Sequence, residues 1–321
     1  MKEKELINDF FIPFHGLSHP EDVHKGIGDD AAVVSVGGKL LAVSVDTMTE
    51  GVHFYSGIDP EDLGYRSIAA AISDMAAMSA TPRYVTVSLS IQSIEQNWME
   101  KFIKGIKACI VQYDCYLVGG DTVKGAMSIG VQVIGICESE PIYRSGAKEN
   151  DLVAVTGFLG GAKTALSFLG REGELSPDIK YVLQRYHRPS PRIDLAKKLN
   201  KYLNSAIDIS DGLVSDIGHI ASQSRKKISL IKENVPIDPK ILALVTEETA
   251  AENALAGGDD YEIAFTFSRA YLSEVNKIGI AANVPITIIG TVEKGLGVNV
   301  MSESGEVFDH HATQGFDHFI T

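Results

Sequence analysis

Leu40–Phe54 reads LLAVSVDTMTEGVHF. Leu40, Leu41, Val43 and Val45 form an apolar run that predicts a buried strand. The run stops at Asp46, and Thr47, Thr49, Glu50, Gly51 and His53 follow. A buried strand that delivers a carboxylate at its end, before a glycine-containing loop with a histidine, puts functional groups on rigid support. Taken alone, Asp46 reads first as the cap of a turn. The arrangement recurs, however, in GIGDDAA (Gly26–Ala32), ISDMAAM (Ile72–Met78), LVGGDT (Leu117–Thr122), AIDISDG (Ala206–Gly212) and AGGDDYE (Ala256–Glu262). Carboxylates distributed beside glycines and apolar runs point to hard cations and phosphates.

The chain has 321 residues, enough for two domains with proper cores, and its 45% hydrophobic content is that of an ordinary globular protein. No apolar run approaches a membrane span, and MKEKELINDFF lacks the apolar region of a signal peptide, so a cytoplasmic protein is expected. A formal charge of -13 argues against nucleic acid or anionic membrane as the main partner. It also sets a problem for a phosphate-binding protein, which bound metal ions would resolve. Cys109, Cys115 and Cys137 lack metal-ligand spacing and read as reduced small hydrophobes.

Along the chain, Glu3–Phe11 is readable as a short helix, and His15, His19 and His24 follow at spacings that fit no zinc pattern. Asp29 and Asp30 are adjacent on an extended segment, so only one of them faces a given site. Asp59–Pro60–Glu61 predicts a helix start, and Leu63, Ile68, Ile72 and Met75 carry the helical spacing to about Ser79. Asp74 lies beside that apolar face with no partner one turn away; a metal ion or plain solvent exposure would each satisfy it. Tyr84–Ile91 alternates as a strand, and Gln96–Gln112 is an amphipathic helix. Cys115–Val118 predicts a strand emptying into a Gly119–Gly120–Asp121–Thr122 loop, whose backbone N–H groups are open to phosphate oxygens. The polar stretch Glu138–Asp151 is the candidate joint between a domain of residues 1–140 and one of 141–321, and it holds Arg144. Gly157–Gly161 lacks a phosphate-loop pattern and reads as a tight turn. In the second half Asp208 closes a strand, and Asp211 has the position of a helix N-cap. Alternating strands and helices, with runs of paired strands, predict an α/β or α+β architecture of sheets covered by helices.

GIGDDAA, SVDTMTEGVHF, SDMAAM, GGDT, RSGAKEND, AIDISDGLVSD, GGDDYE and the terminal GFDHF, in this order, resemble the thiamine-monophosphate kinases. That family belongs to a superfamily with aminoimidazole ribonucleotide synthetase, selenophosphate synthetase and the hydrogenase-maturation dehydratase. The resemblance runs from about residue 5 to the end. It implies an N-terminal sheet that pairs with a second subunit's into a barrel, a C-terminal α/β domain, and ATP held between them by several Mg²⁺ ions in a homodimer. Carried over motif by motif, Asp30, Asp46, Asp74, Asp121, Asp208 and Asp211 match metal ligands, with Ser44 or Val45 supplying backbone contacts nearby. Gly120, Asp121, Arg144 and Ser210 match ATP contacts, and Tyr113 matches a nucleotide contact. His53, Asp259 and Phe316 match the acceptor pocket. The family often has Glu at the position of Asp259, and Trp or Tyr at that of Phe316.

The reaction implied is direct transfer of the ATP γ-phosphoryl group to the phosphate of thiamine monophosphate, with no covalent intermediate. A superfamily synthetase that phosphorylates a carbonyl or amide oxygen is the nearest rival, and a non-catalytic nucleotide-binding module is a rival from another class. The residues before Gly26 contain no cysteine, which disfavours a selenophosphate synthetase, and Thr321 stands where the hydrogenase-maturation enzyme ends in cysteine.

Overall fold

The computed structural model describes residues 3–15, 20–171 and 173–308. The GFDHF tail with Phe316 lies outside the described residues. Two sheets divide the chain, and the polar stretch read as a joint lies between them. The first contains β1 (Val23–Lys25), β2 (Ala32–Val36), β3 (Lys39–Thr49), β4 (Thr81–Ile91), β5 (Tyr116–Lys124) and β6 (Ser128–Cys137), in the order β1-β2-β3-β6-β4-β5. The second contains β7 (Leu152–Thr156), β8 (Leu203–Asp208), β9 (Lys227–Ile231), β10 (Ile263–Phe267), β11 (Ile286–Glu293), β12 (Gly297–Met301) and β13 (Val307–Phe308), in the order β13-β12-β9-β11-β7-β10-β8. Pairing is antiparallel except between β4 and β5 and between β9 and β12. The architecture is mixed α/β, as its strand and helix pattern predicts.

The Pro60–Ala77 helix is the hub. Asp59 accepts the Glu61 N–H at 2.8 Å, Pro60 fills the first turn, and Glu61 and Asp62 complement the helix dipole. Its small residues let it sink between neighbours, and all but four of its residues from Pro60 to Ala77 are buried. A Cβ on Gly64 would strike the Phe102 carbonyl, and one on Gly105 the Glu61 carbonyl, so two glycines permit the close crossing with the Gln96–Gln112 helix. The Pro60–Ala77 helix also packs on β3, β4 and β6, and touches β8 and the Ile193–Leu199 helix of the second half. One apolar cluster therefore runs through both halves, from Ile72 and Met75 to Phe265 and Phe267.

The second sheet is covered on both faces. Every residue of β7 and β10 is buried. Along β7, Leu152 and Ala154 join the shared cluster, while Val153 and Val155 join a second core under the Leu213–Ser224 helix. Among the described residues the first sheet is covered on one face only. Its other face, lined by Val45, Thr47, Thr86, Ser88 and Gln132, is an open shallow hollow.

Three local expectations are corrected. β3 does not end at Asp46 but runs to Thr49, because Thr47 and Thr49 are good strand residues beside an open face. β5 does not empty into a glycine loop: Gly119–Thr122 lie inside the strand. A Cβ on Gly120 would collide with the Val87 carbonyl oxygen, so strand packing itself demands that glycine. Finally, the N-cap of the Leu213–Ser224 helix is Gly212, not Asp211. The Gly157–Gly161 turn is tight as expected, and Asp260 accepts the Gly160 and Ala162 N–H groups there, at 2.6 and 3.3 Å.

Candidate active site

Three carboxylates from distant segments meet where the two halves touch. Asp30 stands just before β2, Asp74 lies in the last turns of the Pro60–Ala77 helix, and Asp208 closes β8. One oxygen of each lies within 4.8 Å of the others. Asp46 and Asp211 border the group closely enough to raise its pKa values. Burial raises four of these carboxyls, like-charge neighbours add to it, and Arg144 opposes it at Asp30 and Ser73 at Asp208: Asp30 goes to about 7, Asp46 and Asp208 to about 6, and Asp74 well above the usual range. Such a cluster binds protons or a cation.

Its donor set fits a hard cation. Asp30 Oδ1 accepts Arg144 Nε at 3.2 Å and Nη2 at 2.8 Å, whereas Asp30 Oδ2 is buried with no hydrogen-bond partner among the described residues. The buried Ser44 hydroxyl faces Asp74 without closing a bond of ordinary geometry. Carboxylate and hydroxyl oxygens aimed at a common point, with an oxygen left over, suit Mg²⁺. Asp29 is turned the other way, toward Lys25 at 2.9 Å and the Arg144 N–H at 3.1 Å. The two aspartates do part as expected, but on a bend before β2 and not on an extended strand, so the turn and not strand alternation separates them.

Behind the cluster, one side chain sets the β8–helix loop. Asp216 Oδ2 accepts the N–H groups of Ser210 (3.1 Å), Asp211 (3.3 Å) and Gly212 (3.1 Å). The carboxylate thus does what the expected Asp211 cap was to do, from one turn inside the helix. Burial and the charges of Asp211 and Asp208 hold Asp216 well above the usual carboxylate range. Its sequence signal was the third aspartate of DISDGLVSD, four residues after Gly212.

The residues matched to the acceptor pocket occupy two loops. His53 Nδ1 accepts the Thr49 N–H at 3.0 Å, which leaves Nε2 as the protonated nitrogen of the neutral ring. Asp259 sits in the left-handed region (φ 67°) and its N–H donates to the Ser210 carbonyl at 2.9 Å. Its carboxylate is not a lone charge: Arg66 Nη2 lies 2.8 Å from Oδ2, and the Tyr261 hydroxyl donates to Oδ1 at 2.9 Å. Arg66 is fully buried in the hub helix and escaped the sequence reading. A single arginine among small and apolar helix residues was the available signal, since a buried guanidinium requires a partner.

Three of the matched residues are not brought to the cluster. Tyr113 caps the end of the Gln96–Gln112 helix beside Tyr65, and burial raises its pKa. Gly120 and Asp121 lie on β5, at the far edge of the first sheet. Val45 pairs with Gln132 and turns its side chain to the open face, so only its backbone is on offer to the cluster. Phe316 is outside the described residues.

This two-sheet α/β chain is similar to known proteins. Residues 28–137 match the family model of AIR synthase related protein, N-terminal domain. Over 325 residues the chain is 37% identical to the thiamine-monophosphate kinase of Haemophilus influenzae, covering 99% of this chain and 98% of that protein. The crystal structure of thiamine-monophosphate kinase from Stenotrophomonas maltophilia superposes with a TM-score of 0.81 at 33% identity, covering 95% of this chain and 98% of that one. AaThiL complexed with AMPPCP and TMP superposes with a TM-score of 0.87 at 32% identity, covering 99% of this chain and 97% of that one. Residues 28–137 thus define an AIR-synthase-related N-terminal domain. Within that class, the chain belongs to the thiamine-monophosphate kinase family.

Proposed function

We propose that this chain transfers the γ-phosphoryl group of ATP to the phosphate of thiamine monophosphate, giving thiamine diphosphate and ADP. The observation that carries the reading is the meeting of Asp30, Asp74 and Asp208, with one Asp30 oxygen unpartnered among the described residues, at the seam of the two sheets. The acceptor is a phosphate oxygen already ionised at neutral pH, so the site has no need of a general base. Its difficulty is electrostatic, since unit charges about 4 Å apart repel by roughly 4 kcal/mol at an effective dielectric near 20. Bound Mg²⁺ would neutralise that repulsion and align the two phosphates.

Asp30, Asp46, Asp74, Asp208 and Asp211 would hold the ions, with Ser44 and the Val45 backbone beside them. Arg144, now paired with Asp30, would bind ATP phosphate oxygens, and Ser210 and Tyr113 would contact the nucleotide. His53 would donate from Nε2 to the acceptor phosphate. Asp259, balanced by Arg66, would act as a hydrogen-bond acceptor toward thiamine, and Phe316 would supply an aromatic face to its cationic ring. The first domain would comprise residues 1–140 and the second residues 141–321.

The working unit we propose is a cytoplasmic homodimer. Among the described residues β5 is an unpaired edge with Tyr116, Leu117, Val118 and Val123 exposed, next to an open sheet face. Pairing two such sheets into a barrel would cover both and carry Gly120 and Asp121 toward the partner's site. No helix among the described residues is long and apolar enough to cross a membrane.

Asp74→Asn tests the metal assignment. The amide keeps the shape and loses the charge, so turnover with ATP, Mg²⁺ and thiamine monophosphate should vanish while the far-ultraviolet spectrum and melting temperature hold. Near-normal turnover would refute it.

A further inference from the structure

Two residues outside the ligand set connect the two loops assigned to the acceptor. Tyr186, in the Pro177–His187 helix, is 2% exposed, and its hydroxyl donates to the His53 carbonyl at 3.1 Å. The Tyr186 carbonyl accepts a hydrogen bond from Arg66 Nη1, and the Arg66 guanidinium lies 4.0 Å from the centroid of the Tyr186 ring. The same guanidinium ends at Asp259, through Nη2 at 2.8 Å. A continuous path thus runs from His53 to Tyr186, Arg66 and Asp259, joining three chain segments to the hub helix.

The loop at the far end needs such support. Asp259 and Tyr261 both have positive φ, 67° and 51°, which costs an L-residue of order 1–3 kcal/mol unless neighbours fix it. Backbone bonds from Asp259 to Ser210 (2.9 Å) and from Tyr261 to Ile209 (2.8 Å) hold the main chain, and Arg66 holds the side chain. At the near end, the His53 ring is set by the Thr49 N–H and its main chain by Tyr186. A buried guanidinium lying on an aromatic ring, with a fixed fork of donors, is suited to keeping two loops at a set separation.

We propose that Arg66 and Tyr186 are positioning residues for the acceptor: they set the spacing between His53 and Asp259 and so determine affinity for the phosphorylated acceptor, not for ATP. This rests on the reading that His53 and Asp259 hold the acceptor. Arg66 and Tyr186 reach the side chain of Asp259 and the main chain of His53, whereas the Asp259 loop meets Ser210 only through its backbone, so the KM for the acceptor is the parameter they move.

The test is steady-state kinetics with thiamine monophosphate and ATP varied separately, on Tyr186→Phe, His53→Ala and the double variant. Tyr186→Phe keeps the ring on Arg66 and removes only the hydroxyl. It should raise the KM for thiamine monophosphate about five-fold, the scale of one neutral hydrogen bond, with the KM for ATP and the melting temperature nearly unchanged. In the His53→Ala background the same change should alter that KM less than about two-fold, because the ring it positions is gone. Equal factors in both backgrounds, or parallel losses for both substrates, would reduce Tyr186 to a core residue and overturn the proposal. If His53→Ala alone leaves the acceptor KM unchanged, the acceptor reading fails and the proposal with it. If His53→Ala raises it and Tyr186→Phe does not, only the positioning role is overturned. Arg66→Lys, which keeps a cation beside Asp259 but not the fork, should repeat the acceptor-specific rise; should it fail to fold, the Tyr186 series decides.

Discussion

Asp46 and Asp121 stand on opposite faces of one sheet, with β6 and β4 between their strands. Asp46 pairs with Val131, Val131 with Val87, and Val87 with Gly120, so the row containing Asp46 reaches β5 one residue before Asp121. Successive residues on a strand face opposite ways, and three strand spacings amount to about 14 Å. Asp121 therefore shares a face with Thr47, Gly130 and Ser88, on the open side of the sheet.

If Asp121 serves a metal site, it serves one built by another copy of the chain. Asp74→Asn and Asp121→Asn should each be inactive, yet mixing and refolding the two should restore activity. Random pairing makes about half the dimers mixed, each with one intact site, which gives about a quarter of wild-type activity. No recovery in a mixture shown to contain mixed dimers would remove Asp121 from the shared site.

Cation binding should release protons. Asp30, Asp46 and Asp208 have folded pKa values raised by burial to about 7, 6 and 6, above the usual carboxylate value of 3.8. For a raised acid, the stabilising contribution is complete below the unfolded value and is lost as pH climbs through the folded one. Metal-free protein should accordingly lose melting temperature between about pH 5 and pH 8, and Mg²⁺ should raise it more at about pH 8 than at pH 5. Thermal melts with chelator or Mg²⁺ at both pH values check this. An equal Mg²⁺ effect at the two would contradict it.

Glu262 offers a test of the fold apart from the chemistry. It is 1% exposed and meets Arg192 at 2.5 Å, Arg185 at 3.0 Å and the Thr156 hydroxyl at 2.7 Å. Burial pushes its pKa up, but Arg192, Arg185 and Thr156 together hold it below the ordinary 4.5. Glu262→Gln leaves the part-buried Arg185 and Arg192 undercompensated and should cost about 3 kcal/mol by urea unfolding at neutral pH. A lowered acid stabilises above its unfolded pKa, so the gap should narrow as pH falls below about 4.5. A gap that is small at neutral pH or that widens in acid would refute this account of the network.

Much of this was legible in the chain itself. Asp59–Pro60 announced the hub helix, YVTVSLSI its neighbouring strand, and the aspartates of GIGDD, SDMAAM and DISD the carboxylates that converge. What escaped depended on contacts between remote segments. GGDT looks like a loop until Gly120 is set against the Val87 carbonyl. Asp46 looks like a strand end until Thr47 is seen to border an uncovered face. The Arg66–Asp259 pair links residues far apart in sequence, and no local pattern encodes it. The strands β9 and β12 are short, and β12 lies among turn glycines, so their pairing is fixed by the sheet and not by their own periodicity.

The central claim is that the γ-phosphoryl group of ATP passes directly to the phosphate of thiamine monophosphate. Incubating the purified protein with γ-labelled ATP, Mg²⁺ and either thiamine monophosphate or thiamine, then separating the products, tests it most directly. The expected result is label in thiamine diphosphate with thiamine monophosphate as acceptor, none with free thiamine, and none when Mg²⁺ is chelated. Label recovered only as inorganic phosphate, or carried onto free thiamine as efficiently, would contradict the account.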